Sequence, residues 1–309
     1  MVTLGDVVRA GHRLAPHLPP TPLEAAPELG ENIWLKLENA NKTHSFKIRG
    51  ALNAILSLSD EERARGIIAA SSGNHAGAVA YAAHLSGASA QILMPKTTPK
   101  KKVNNVKRYG AEAVLFGDNY DEAEAEALRR VRNGGTWISP YNDPRVIAGA
   151  GTIGVEMLQQ LPDLRRVLVP VSGGGLIAGI ATAVKEISPA IEVIGVNAKS
   201  APAMYNAFHK DDLPQVWDTL ADALSGEIEA GSITLPICER YLDDMLLAPE
   251  EQIAAAMRFM LETQGWVVEG GGTVGVAAVM HDVVPRDGAP TAVVVSGGNV
   301  DLSVLRTVL

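Results

Sequence analysis

The stretch Arg166-Val167-Leu168-Val169-Pro170-Val171 is followed directly by Ser172-Gly173-Gly174-Gly175 and then by the apolar run 176–186. A short apolar segment, a glycine turn and a longer apolar run predict a buried strand, a tight turn and a helix. Similar apolar segments, alternating with stretches of helical character, lie at 67–70, 90–94, 113–116, 192–196 and 291–295. The alternation predicts βαβ units and largely parallel sheets.

Two runs of this pattern divide the chain. The first covers about residues 65–140, and a predicted capping box, Ser59-Asp60-Glu61-Glu62, opens a short helix just before it. The second begins at Arg166 and ends at Val295. We therefore expect an α/β protein with two lobes and a cleft between them. Residues 1–60 and 141–309 are assigned to a large domain, and residues 61–140 to a small, mobile domain.

Composition restricts the class of protein. The chain has 309 residues, 47% hydrophobic and 20% charged, which is ordinary for a globular protein with a substantial core. The net charge of −8 argues against nucleic acid or an anionic membrane as the main partner. The chain shows neither a signal-peptide pattern nor an apolar run long enough to span a bilayer, so we expect a cytoplasmic protein. The single cysteine, Cys238, is expected to be a buried apolar residue.

Polar motifs follow three of the predicted strands. They are Ser71-Ser72-Gly73-Asn74-His75, Ser172-Gly173-Gly174-Gly175 and Ser296-Gly297-Gly298-Asn299. Ligands of open α/β sheets bind beyond the carboxyl ends of the strands, so all three motifs lie where chemistry is expected. Glycines before a helix let backbone N–H groups converge on an anion, and phosphate is the ligand we expect. The alternative is a tight turn that binds nothing.

Two nucleotide interpretations of the glycine turn are weak. Gly173, Gly175 and Ala178 have the spacing of a dinucleotide fingerprint, but Asn197 stands where an acid should hold the ribose. A Walker loop requires Gly-Lys-Ser/Thr, and Leu176 follows the last glycine. The interpretation that remains is a turn that binds a phosphate ligand smaller than a nucleotide.

A lysine in Ser45-Phe46-Lys47-Ile48-Arg49-Gly50 is the candidate nucleophile. Its apolar neighbours would desolvate the ammonium, and Arg49 would add a second positive charge. Both effects lower a lysine pKa, as a Schiff-base amine requires. The alternatives are an ordinary surface lysine and an Arg49 that serves only as a structural ion-pair partner.

The remaining polar residues also have simpler interpretations. Asn74 could cap a helix that starts near Ala76, and His75 could be a satisfied helix-start histidine. The basic stretch 96–108 is expected to be a solvated helix face. His and Cys residues show no metal-ligand spacing, so we expect no metal site.

Together, the four motifs resemble those of the fold-type II pyridoxal-phosphate enzymes, specifically the serine/threonine dehydratase and serine racemase family. The resemblance runs from Thr21 to Asp301. It implies a two-lobed, three-layer αβα fold of tryptophan-synthase-β type, with mostly parallel sheets and the active site between the lobes. It also implies pyridoxal 5'-phosphate held by the large domain, a small-molecule amino-acid substrate and a homodimer.

The resemblance assigns roles to individual residues. Lys47 would form the Schiff base and remove the α-proton, and Ser72 would work on the opposite face in racemising members. Asn74 would donate to the phenolic oxygen of the cofactor ring, and Ser296 would bind its pyridine nitrogen. The implied cofactor-binding residues are Phe46, Lys47, Asn74, Ser172, Gly173, Gly174, Gly175, Leu176 and Ser296. The implied substrate-binding residues are Ser71, Ser72, Gly73, Asn74 and His75.

The implied reaction converts a 3-hydroxy amino acid, such as serine or threonine, to a 2-oxo acid and ammonia. The alternatives are an amino-acid racemase and a non-catalytic amino-acid binding protein. The chain departs from the usual family pattern at His44, at Ala223 and within Glu269-Gly270-Gly271-Gly272, all beside the expected substrate pocket. Asn197 also replaces an acid found in metal-activated members, so we expect no divalent-metal site there.

Overall fold

The computed structural model describes residues 1–285 and 287–309. Its strands are β1 (Leu23–Ala25), β2 (Ile33–Leu37), β3 (Ile67–Ala70), β4 (Ala90–Met94), β5 (Glu112–Leu115), β6 (Thr136–Trp137), β7 (Arg166–Pro170), β8 (Glu192–Ala198), β9 (Asp244–Ala248) and β10 (Thr291–Val295). Its helices are α1 (Leu4–Leu14), α2 (Lys47–Leu56), α3 (Asp60–Ala64), α4 (Asn74–Ser86), α5 (Lys100–Lys107), α6 (Tyr120–Arg132), α7 (Pro144–Gln160), α8 (Gly175–Ile187), α9 (Ala203–His209), α10 (Thr234–Tyr241), α11 (Glu250–Glu262), α12 (Gly270–Met280) and α13 (Leu302–Val308).

The strands form two sheets. The larger has the order β1-β2-β10-β7-β8-β9, and the smaller has the order β5-β4-β3-β6. Every pairing is parallel except that of β1 with β2. This confirms the predicted α/β class with mostly parallel sheets. The smaller sheet lies within the predicted segment 61–140, and the mobility of that segment stays a prediction.

Strands β7 and β10 show why apolar runs predicted these sheets. Both are buried along their whole length, because helices cover the two faces of a parallel sheet. Each buried Val or Leu side chain stabilises the fold by about 1.5–3 kcal/mol. A separate apolar cluster joins the smaller sheet to α2, where Ile48, Leu52 and Ile55 pack with residues of β3, β4 and α4. Helix α2 therefore packs with the smaller sheet.

Helices α7 and α8 cross at very close range. A Cβ atom added to Gly179 would lie 2.3 Å from the Ile147 carbonyl oxygen and 2.6 Å from the Gly151 nitrogen. Glycine is the residue that permits this approach. The crossing fixes α8, whose first residue, Gly175, belongs to the glycine turn after β7. Among the described residues, no helix is both long and apolar enough to cross a membrane.

Candidate active site

The lysine motif pairs with the loop after β10. Ser45 and Gly297 form an antiparallel bridge, the Phe46 N–H donates to the Ser296 carbonyl at 3.0 Å, and the Gly298 N–H donates to the His44 carbonyl at 2.9 Å. These bonds place Lys47 and Ser296 at the same edge of the larger sheet. The hydroxyl of Ser296 makes no hydrogen bond with any described residue, which leaves it available to a ligand.

Lys47 opens α2 with its amine held inside the cleft. Its Nζ donates to the Pro140 carbonyl at 2.7 Å and lies 5.1 Å from the centre of the Phe46 ring. Burial lowers the pKa of Lys47 to about 8, while the nearby Glu269 carboxylate acts in the opposite direction. The neutral form that a nucleophile requires is therefore far more accessible near physiological pH than in an ordinary lysine.

The sequence analysis expected both desolvation and the charge of Arg49 to lower the pKa of Lys47, and the second of these was wrong. The Arg49 guanidinium turns away into a buried ionic cluster and binds Glu38 at 2.7 Å and Glu156 at 2.5 Å. Lys36 completes the cluster by pairing with Glu156 at 2.7 Å. The structure thus supports the alternative role of Arg49 as an ion-pair partner, and burial alone lowers the pKa of Lys47.

The glycine turn forms a cradle with free backbone donors. Gly174 has φ +86°, and Cβ atoms on Gly173 or Gly175 would lie 2.7–2.8 Å from Tyr141. No described residue accepts a hydrogen bond from the backbone N–H groups of 173–176. Thr234 steadies the turn by donating its hydroxyl to the Gly173 carbonyl at 2.7 Å. Free N–H groups at the start of α8 suit a phosphate group.

The loop 71–75 follows β3 and leads into α4. The Ser71 hydroxyl accepts the Gly73 N–H at 3.1 Å, which shapes the loop, and Asn74 is already the first helical residue. His75 Nε2 lies 3.0 Å from the Ile138 carbonyl, and burial together with the Lys47 charge lowers the pKa of His75 to about 3. The buried His75 ring therefore favours its neutral form, and its part in substrate binding stays a prediction. The Ser72 hydroxyl makes no hydrogen bond with a described residue.

Two residues that sequence reasoning gave no role contact Asn74 across the cleft. Asn74 Nδ2 donates to Glu269 at 2.6 Å, and Asn299 Nδ2 donates to the Asn74 oxygen at 2.7 Å. Glu269 is 5% exposed, and burial raises its pKa to about 7. An acid that precedes three glycines matches no motif with a known role, so the sequence alone did not point to Glu269 as a partner of Asn74. Asn299 lies inside a motif that we quoted, and only the fold places it beside Asn74.

The position expected of a metal-activating acid is occupied by an amide. The buried Asn197 donates Nδ2 to the Val171 carbonyl at 3.2 Å and to the Ala201 carbonyl at 3.0 Å. Within residues 1–285 and 287–309, no group of three or more His, Cys, Asp or Glu side chains could hold a metal ion. Metal independence stays a prediction.

Several known proteins are similar to this chain in sequence and fold. Residues 14–297 match the family described as pyridoxal-phosphate dependent enzymes. An L-threonine ammonia-lyase of Thermotoga maritima is 42% identical over 316 residues, covering all of this chain and 78% of that protein. The structure of maize serine racemase has a TM-score of 0.92 at 34% identity, covering 99% of this chain and 96% of that one. A threonine deaminase isoform 2 from Solanum lycopersicum has a TM-score of 0.91 at 36% identity, covering 99% and 86%.

The fold and the site define a pyridoxal-phosphate enzyme of fold type II. This chain belongs to that family, within its serine/threonine dehydratase and serine racemase branch. Its cofactor is pyridoxal 5'-phosphate. The residues present suit that group, because they combine a lysine whose pKa is lowered with free backbone N–H donors for a phosphate. The family and these relatives show an enzyme, a pyridoxal-phosphate-dependent lyase, rather than the non-catalytic binding protein.

Proposed function

We propose that this enzyme eliminates water from L-threonine or L-serine and releases ammonia, leaving a 2-oxo acid. The observation that carries the proposal is the Lys47 amine, held in the cleft with a pKa lowered to about 8. Such an amine can both hold a carbonyl cofactor and take a proton from carbon. The relatives named as threonine ammonia-lyase and threonine deaminase support a 3-hydroxy amino acid as the substrate.

Each part of the site has a proposed role towards the cofactor. The N–H groups of 173–176 would bind the phosphate together with Ser172, and Phe46 would flank the ring. Asn74 would donate to the ring oxygen, and the Ser296 hydroxyl would meet the pyridine nitrogen. When bound, pyridoxal phosphate supplies an electron sink for the electron pair left on the α-carbon.

The protein's own groups orient the substrate and move the proton. The loop 71–75 would bind the substrate carboxylate, with backbone N–H groups near the start of α4 facing it. Lys47 Nζ, once free, would take the α-proton, and the β-hydroxyl would leave together with a proton as water. A water molecule would then hydrolyse the unsaturated amino acid to the 2-oxo acid and ammonia. Ser296 is a neutral donor, unlike an aspartate, and we propose that this favours elimination over transamination.

A 2-oxo acid assay across 3-hydroxy amino acids tests the proposal. We expect product from L-threonine, L-serine or a 3-hydroxy relative of them, and a loss of at least about a thousandfold in Lys47→Ala. Lys42→Ala is the matched control, because Lys42 is exposed on the same loop and should keep wild-type activity. Absence of 2-oxo acid from every member of the panel, with cofactor bound, would contradict the proposal.

A racemase is the second candidate because the Ser72 hydroxyl has no described hydrogen-bond partner and could deliver a proton. Structural similarity to a serine racemase supports it. Chiral analysis of the unreacted amino acid in the same assay separates the two activities. Ser72→Ala should stop racemisation and spare elimination on the lysine side, and a variant that loses both equally would argue against separate roles.

We further propose a homodimer that works in the cytoplasm. The family resemblance supports the dimer. Cys238, the single cysteine, is buried, and burial raises its thiol pKa to about 12. A protonated, buried thiol that makes no disulfide within the chain suits a reducing compartment.

A further inference from the structure

Asn74, Glu269 and Asn299 form a closed ring of hydrogen bonds. Asn74 Nδ2 donates to Glu269 Oε1 at 2.6 Å, and Asn299 Nδ2 donates to Asn74 Oδ1 at 2.7 Å. The Asn299 backbone N–H closes the ring by donating to Glu269 Oε2 at 3.2 Å. Asn74 follows β3 of the smaller sheet, whereas Glu269 precedes α12 and Asn299 follows β10 of the larger sheet. The ring therefore connects the two sheets across the cleft.

The ring leaves the Asn74 amide one orientation. Asn299 must turn its NH₂ group towards the Thr43 carbonyl, 2.9 Å away, because a carbonyl only accepts. The same NH₂ group then faces the oxygen of Asn74, so the Asn74 NH₂ faces the carboxylate. That contact uses one of the two N–H bonds of Asn74 and leaves the second available.

Close packing around the carboxylate keeps the ring in place. A Cβ atom on Gly297 would lie 2.3 Å from Glu269 Oε1 and 3.2 Å from Asn74 Nδ2, so glycine is needed beside the ring. The Glu269 backbone is held as well, since its N–H donates to the Gly297 carbonyl at 3.1 Å. The acid is thus fixed from both its backbone and its side chain.

We propose that Glu269 and Asn299 are positioning residues that aim the second N–H of Asn74 at the phenolic oxygen of pyridoxal phosphate. The proposal rests on the cofactor role proposed above for Asn74. It adds two residues that act through Asn74 and gives the cleft a contact that both lobes must supply.

The ring requires an ionised carboxylate, because each Glu269 oxygen accepts an N–H and a proton on either oxygen would lose one bond. Burial is the main cause that raises the pKa of Glu269 to about 7, and Asp222 acts in the same direction. The hydrogen bonds from Asn74 and Asn299 and the charge of Lys102 oppose this rise, and the Glu269 carboxylate in turn raises the pKa of Lys47. The ring is therefore complete above about pH 7 and loosens as the pH falls through that value.

A double-mutant cycle on the holoenzyme without substrate tests the proposal. The readouts are the dissociation constant of pyridoxal phosphate and the absorption spectrum of the bound cofactor as a function of pH. Glu269→Gln and Asn74→Ala should each weaken binding by about tenfold, the loss of about one charge-assisted hydrogen bond. The double variant should bind within about twofold of Asn74→Ala. Glu269→Gln should also lose the spectral transition expected near pH 7.

Two further variants keep the test decisive. Asn299→Ala leaves the acid in place and should reproduce the loss, again with no further effect in the Asn74→Ala background. Glu251→Gln changes an exposed glutamate on α11 and should match the wild type. Losses that add in the double variants, or a Glu269→Gln enzyme with wild-type affinity and spectrum, would overturn the proposal. Because no substrate is used, an enzyme inactive on every amino acid would refute the proposed reaction and leave this test intact.

Discussion

At the residue scale, His44 adopts a backbone conformation that suits glycine. Its φ is +56°, in the left-handed region where a Cβ atom costs about 1–2 kcal/mol. The conformation turns its carbonyl towards the Gly298 N–H and so helps to pair the lysine motif with the Ser296 loop. The positive φ gives a physical reason why His44, which the sequence analysis noted as a departure from the family pattern, is a strained choice at this position.

His44→Val should therefore lower the free energy of unfolding of the apoprotein by about 1–2 kcal/mol, because a β-branched residue tolerates positive φ poorly. His44→Gly should stay within about 0.5 kcal/mol of the wild type, since relief of strain offsets a more flexible unfolded chain. Urea denaturation measures both. Lys42→Val is the control at an exposed position without positive φ. Equal losses at positions 42 and 44 would show that the backbone conformation is not the cause.

Individual site residues differ in how far the sequence could predict them. Lys47 and the glycines of 173–175 could be predicted because each lies in a short motif whose residue types already indicate the chemistry. Glu269 was not, since its burial and its bond to Asn74 depend on contacts between residues far apart in the chain. Arg49 was assigned two alternative roles, and only the positions of Glu38 and Glu156 decide between them.

At the element scale, the crossing of α7 and α8 holds the glycine turn in place. Gly179→Ala would press a Cβ atom against the Ile147 carbonyl, so we expect a loss of about 2–3 kcal/mol in unfolding free energy. Gly11→Ala on α1 is the matched helical control. Its Cβ would lie 4.0 Å from the Thr152 methyl group, an ordinary contact, and the variant should gain about 0.5–1 kcal/mol. Thermal and urea unfolding of the two apoproteins measure the difference. A Gly179→Ala protein as stable as the wild type would mean that the helices can separate freely.

Many of the buried strands follow from local patterns, and for two elements that do not, there is a physical cause. The capping box at Ser59 and Glu62 opens α3 as predicted. Strand β6 has only two residues, and its pairing with β3 defines it rather than any pattern of its own. Strand β9 was also not predicted, because its acidic first residue and mixed burial hide its place at the sheet edge.

At the scale of the whole molecule, charges on α5 meet acids of the opposite lobe. The sequence predicted a solvated basic face, and Lys101 is indeed exposed. However, it lies 3.4 Å from Asp301, and Lys102 lies 3.8 Å from Asp222. Helix patterns cannot show such pairs, because their partners are about 120–200 residues away. Lys102 and Asp222 both act on the charge of Glu269, so this pair lies near the Asn74 ring.

Exchange of the Lys102 and Asp222 charges tests whether these pairs favour a closed cleft. An exposed pair contributes about 0.2–1 kcal/mol, so Lys102→Asp should raise the KM of the amino acid by about threefold and leave kcat nearly unchanged. The exchanged variant, Lys102→Asp with Asp222→Lys, should recover most of that loss at a pH where Glu269 is ionised. Lys107→Asp is the control on the same helix, since no described acid pairs with Lys107. If the exchanged variant stays as impaired as Lys102→Asp, the contact between lobes does not depend on opposite charges and the cleft closes on its apolar and amide contacts alone.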